Sequence, residues 1–220
     1  MPFQPSRDQL SFGGMKPLAI LLSATTLLVG SASASLAEDI ARRSNETDLA
    51  FAQRALRLNA DAAPHVVSAD WNGVPTLFVD YEEIKGGETN RPLVALMKLP
   101  DGRYRSVRVT IGEEEGAEAT FDAVGFAKAD RTDNKALITI LGWDQNHHDL
   151  VSGTLYEVRI FPAPRPGQTD LTPLAISKHF DGGCECWHND GGPKQKPYTT
   201  HFRFKTIAAV KAELKKLGYN

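Results

Sequence analysis

The sequence predicts a mainly β protein, an antiparallel sandwich or barrel-like sheet with an N-terminal and a C-terminal helix, α+β by content. Three observations carry this. Apolar residues recur with period two in successive runs between Val74 and Phe161. Turn-forming residues separate those runs at spacings normal for an antiparallel sheet. On either side, around Glu46–Leu58 and Ile207–Leu217, the apolar period lengthens to that of a helix. The 220 residues, 41% hydrophobic and 24% charged, suit one domain with an appendage rather than a disordered chain, a collagen or a coiled coil. With 25 Lys and Arg against 27 Asp and Glu, the formal charge is −2. That balance gives no electrostatic reason to expect nucleic acid or an anionic membrane as partner.

The first feature along the chain concerns destination. Lys16 precedes an apolar run from Leu18 to Val29, which ends in the small residues Ala32-Ser33-Ala34. A basic start, a short apolar core and an A-x-A end make up a secretory signal peptide. The run falls short of the roughly 20 apolar residues a membrane span needs. Residues 1–34 therefore read as a signal peptide, with Met15 as a possible true start, and the rest as an exported, soluble chain without a transmembrane segment. Residues 35–64 then supply a helix and linker, and residues 65–220 a single β-rich domain. In an extracytoplasmic compartment disulfides are permitted.

The first helix spans about Glu46–Leu58, with Asn45 as N-cap, acidic Glu46 and Asp48 at its start and Arg54 and Arg57 near its end. Val74–Tyr81 is a short β-favouring run. Leu93–Leu99 and Tyr104–Ile111 flank Pro100-Asp101-Gly102-Arg103, the turn of a hairpin. Ala119–Ala127, Ala136–Trp143 and Thr154–Phe161 continue the series. Glu113-Glu114-Glu115 reads as a solvated loop. Proline at 162, 164 and 166 ends the sheet run, because proline cannot donate to a ladder. His201–Lys205 alternates and predicts a late strand. Thr206 caps a last helix, Ile207–Leu217, whose Ile207, Val210, Leu214 and Leu217 stripe should dock on the sheet and which Gly218 stops. Asp70-Trp71-Asn72-Gly73 and Asp130–Lys135 loosely resemble acidic calcium loops. Arg131 and Lys135 stand among the would-be ligands, however, so polar turns that start strands explain both better.

Chemistry-bearing residues concentrate in two places. His179–His188 holds both cysteines of the chain and two of its six histidines. At i, i+2 in extended backbone, Cys184 and Cys186 face one way. They can close a disulfide, or offer two thiolates that with His188 and His179 form a sulfur–nitrogen set suited to zinc or copper. A bridge over so short a loop is a poor staple, worth about 1.6 kcal/mol by loop entropy. The second cluster is Asp144, His147, His148 and Asp149, between two expected strands, where histidine beside carboxylate could bind or serve as a general base. Polar turn formers alone also explain it. Trp71, Trp143 and Trp187 read as rim-of-core residues. There is no G-x-S-x-G elbow, no phosphate loop and no H-E-x-x-H. The reading is thus a non-catalytic binding or scaffolding domain. The alternatives are a metal-binding or thiol-redox protein at Cys184, Cys186 and His188, and an extracytoplasmic hydrolase using His147–Asp149.

Overall fold

Turn chemistry and alternation assemble two antiparallel sheets in the computed structural model, which describes residues 39–59, 62–147, 150–189 and 196–219. The expected signal peptide, residues 1–34, lies outside the described residues. After a short strand β1 (Ile40–Ala41) comes helix α1 (Asp48–Ala55). Its N-cap is Thr47, whose hydroxyl accepts from the Ala50 N–H at 3.2 Å, not the expected Asn45. Asn45 instead takes a left-handed turn conformation, and Arg57, also left-handed, bars the helix from running on to Leu58. Glu46 leaves the helix start to clamp Arg54, with contacts of 2.8 and 2.7 Å.

The first sheet contains β2 (His65–Trp71), β3 (Val74–Asp80), β4 (Glu83–Lys85), β5 (Glu88–Lys98) and β6 (Arg103–Gly112), and runs β1-β6-β5-β3-β2 with β4 on β5. The hairpin around Pro100–Arg103 forms as expected, Leu99 accepting from the Gly102 N–H at 2.9 Å. Asn72 and Gly73, both at positive φ, form the two-residue turn between β2 and β3. Asp70 accepts from the Gly73 N–H at 2.7 Å and so acts as a turn former. Asp130 does the same for Thr132 at 2.8 Å.

The second sheet contains β7 (Ala119–Ala127), β8 (Ala136–His147), β9 (Val151–Phe161), β10 (Gly183–His188) and β11 (Tyr198–Thr200), in the order β11-β10-β9-β8-β7. Short helix α2 (Ser177–Phe180) and helix α3 (Ile207–Lys216) complete the fold. Thr206 caps α3 as expected, accepting from the Ala209 N–H at 3.2 Å. The cysteine segment, Gly183–His188, is a strand, so its backbone is extended. One expectation fails here. His201–Lys205 is not a strand: the chain turns there, and the late strand is Tyr198–Thr200. Phe202 and Phe204 are drawn off any ladder to pack on Tyr156 and Phe180, with ring centroids 6.0 and 4.9 Å apart.

Packing explains why β8 is buried continuously from Ala136 to Trp143 instead of alternating. One face, through Leu137, meets Trp71, Phe78, Val107 and Val109 of the first sheet. The other, through Ile138 and Ile140, meets Val210 and Leu214 of α3. A strand covered on both faces loses its alternation. On the far side of the first sheet, Phe51 and Ala52 of α1 pack on Leu77, Val79 and Leu96. The first helix is therefore part of the domain core. Polar links tie the sheets together: the Trp71 indole donates to the Lys135 carbonyl and the Trp143 indole to the Glu113 carbonyl, both at 2.8 Å. Among the described residues no helix is long and apolar enough to cross a membrane.

Candidate functional site

Strand β9 is the backbone of the site. Its pairing with β10 runs from Val151↔His188 to Tyr156↔Gly183 and stops there. Further along, the Ser177 hydroxyl accepts from the Ile160 N–H at 2.9 Å and closes that end. Between these points a cleft of about 330 Å³ opens over β9, lined by Trp143, Leu155, Tyr156, Glu157, Lys178 and Asp181 among others. Proline explains the opening. Pro162, Pro164 and Pro166 carry the chain away from the sheet, and it returns only after Leu171 has bonded to Arg108 of β6 at 2.9 Å. The returning segment, with Pro173, Ser177 and Asp181, then forms the far wall.

The floor is electrostatically settled. Arg159 donates to both Glu157 oxygens, at 2.6 and 2.7 Å, and to Thr110 Oγ1 and the Ile111 carbonyl at 2.7 and 2.8 Å. This guanidinium crosses to the other sheet and serves the scaffold. Ser177 is likewise committed to the Ile160 backbone, and His179 stands 3.4 Å from Glu213. The rim offers Lys178, Asp181 and Glu115 around an apolar interior of Leu155, Val158 and the two aromatic rings. Such a surface can hold a small molecule with an apolar body and charged ends.

The cysteine strand borders this cleft. Register places Cys184 opposite Leu155, which lines it, and Cys186 opposite Gly153. The two sulfurs are in bonding contact, with α-carbons 5.2 Å apart, inside the range disulfides accept. Cys184, Cys186 and His188 share one face of β10. His179, the fourth residue of the expected metal set, lies apart on α2 beside Glu213, and His188 Nε2 meets Thr200 Oγ1 at 3.0 Å. Among the described residues no three histidine, cysteine or acidic side chains gather around a point suited to a metal ion. Glu185, on the opposite face, is held by His201 and Lys205, both at 2.9 Å, and by the Phe202 N–H at 3.0 Å. His201 first, then Lys205 and that N–H, pull its carboxyl down to about 2.

The second cluster meets the first on the same sheet. Strand β8 continues through His147, so the expected loop is mostly strand, and alternation puts Asp144 and His147 on opposite faces. Asp144 faces Thr154, whose hydroxyl lies 3.4 Å away. His147, Val151 and His188 form one cross-strand row, which separates the two histidines by about 10 Å at strand spacing. His148 and Asp149 lie outside the described residues. Trp71 and Trp143 lie fully in the core rather than at its rim, because each indole reaches across to a backbone carbonyl, whereas Trp187 is 37% exposed. The sequence reading missed the cleft. Its one local signal was the proline run after Phe161, which says that β9 loses its neighbour but not what faces the gap. Comparison with known protein families, with curated proteins and with solved structures finds no match to this chain.

Proposed function

We propose that this chain is an exported, non-catalytic binding domain whose ligand sits in the cleft over β9. The observation that carries the reading is the cleft itself, an apolar interior with a charged rim on a scaffold stiffened by the Arg159 links between the sheets. The one serine among the described lining residues, Ser177, is engaged by the Ile160 backbone, which supports its reading as part of the wall. The ligand class is a small amphiphile, with Lys178 and Asp181 reading its polar ends. Export rests on the Lys16–Ala34 pattern.

Two experiments test this. Ligand-observed NMR with a panel of aromatic carboxylates, aromatic amines and short glycosides should find saturable binding that Gly182→Leu abolishes, since side-chain atoms at Gly182 occupy the lining. Binding that Gly182→Leu leaves intact, or no binding across the panel, refutes the cleft as the site. N-terminal sequencing of protein recovered outside the cytoplasm should begin near Ser35 or Glu38; recovery of an intact Met15 in the membrane fraction rejects export.

A further inference from the structure

We propose that Cys184 and Cys186 form a thiol–disulfide exchange site, in which an external dithiol attacks the sulfur of Cys184 and Cys186 is the sulfur that leaves. The assignment of roles follows from exposure. Cys184 is half-buried, while Cys186 is 1% exposed. Exchange proceeds at whichever sulfur a thiolate can reach. Cys184 stands opposite Leu155 at the cleft margin, so a thiol approaching over that margin meets it first.

The surroundings suit a bridge that opens and recloses. One intervening residue leaves little chain entropy for closure to remove, so the fold does not depend on the bond. Other contacts hold β10 in place without it. The strand is laddered to β9 along Gly183–His188 and to β11 along Cys186–His188. Glu185, between the cysteines, is clamped by His201, Lys205 and the Phe202 N–H. Reduced thiols on so constrained a strand stay side by side and can re-form the bond. Thr200, opposite Cys186, carries the hydroxyl that meets His188 Nε2 at 3.0 Å, a proton-bearing pair on the same face as the leaving sulfur.

A thiolate of the external dithiol attacks Cys184 Sγ, forming a mixed disulfide as the Cys184–Cys186 bond breaks. The electron pair leaves on Cys186 Sγ, which takes a proton. The second thiolate of the dithiol then attacks the external sulfur of the mixed disulfide and releases Cys184 as a thiolate, which is protonated in turn. Two electrons have passed: the dithiol is now a disulfide and the protein carries two thiols. The proposal stands on strand geometry and does not require an occupied cleft, so failure of ligand binding leaves it untouched.

The test uses the oxidised protein with dithiothreitol as the dithiol and oxidised glutathione as the trap. Native protein should lose the bridge to dithiothreitol without denaturant while its far-UV circular dichroism is unchanged. Limiting iodoacetamide should then label Cys184 before Cys186. Cys186→Ser should form a mixed disulfide with oxidised glutathione about tenfold faster than Cys184→Ser, because exposure governs thiol attack. Should the serine variants fail to fold, the labelling order in reduced wild type decides alone. A bridge that yields only when the protein unfolds, or a Cys186 labelled as fast as Cys184, overturns the proposal.

Discussion

Replacing Gly153 with alanine measures how closely β9 and β10 approach. Gly153 pairs with Cys186 and adopts φ +147°, a conformation that residues with side chains rarely take. A methyl group there would lie 2.2 Å from the Glu185 carbonyl oxygen, 2.7 Å from the Cys186 α-carbon and 3.1 Å from its sulfur. The first two are backbone atoms of a strand laddered on both sides, so they cannot swing away as a side-chain tip does. Overpacking of this kind costs about 1–3 kcal/mol, and the unfavourable backbone conformation roughly as much again. Gly153→Ala should therefore destabilise the protein by about 2–6 kcal/mol, lowering the melting midpoint by roughly 4–24 °C for a chain of this size. The control is Gly142→Ala, whose nearest neighbour is the Asp122 carboxylate at 2.8 Å, the exposed end of a side chain that can shift at the cost of its bond from the Thr120 hydroxyl. Its cost should be about 1 kcal/mol or less. Urea and thermal unfolding of both variants give the comparison. A Gly153→Ala protein within about 0.5 kcal/mol of wild type, or a Gly142→Ala protein damaged equally, would show that the strands do not meet as described.

Reducing the bridge, or replacing both cysteines by serine, should shift the unfolding free energy by less than about 2 kcal/mol, read by urea unfolding with and without reductant. If chelator causes a large loss instead, a structural metal holds this segment, because its binding energy would be folding energy. The carboxyls of Glu185, held down by His201 and Lys205, and Glu46, held down by Arg54, each lie at about 2. A folded value below the unfolded one contributes stability that is present above the ordinary carboxylate range and is lost as pH falls through the folded value. Unfolding midpoints should thus drop between about pH 5 and 2, and the double variant Glu46→Gln/Glu185→Gln should flatten that slope; an unchanged slope refutes the assignment. Trp71→Ala removes a fully buried indole and its bond to the Lys135 carbonyl, and should cost about 3–5 kcal/mol in urea unfolding; a loss below about 1 kcal/mol would contradict its place between the sheets.

What the sequence determined by itself was local. Alternation of Val107, Val109 and Ile111, with Pro100–Arg103 behind them, specified a hairpin, since a two-fold period and a glycine-bearing turn allow little else. Thr206, the Ile207, Val210 and Leu214 stripe and Gly218 specified α3 for the same reason, cap, face and stop all lying close together, although Leu217, expected in that stripe, falls past the helix end and is exposed. The i, i+2 spacing of Cys184 and Cys186 already set both sulfurs on one side of an extended chain. Tertiary structure decided whatever depends on distant partners. Asn45 had the right chemistry for a cap, but Glu46 was drawn off to Arg54 and the helix began two residues later. HFRFK alternates like a strand, yet its phenylalanines gain more by packing on Tyr156 and Phe180 than a ladder offers. The cleft has the same origin: its lining comes from Glu115 to Gly182, and its opening from where β10 stops pairing with β9. Periodicity reports which face of an element is buried; it carries no record of which element covers that face, and a cleft is a place where the cover ends.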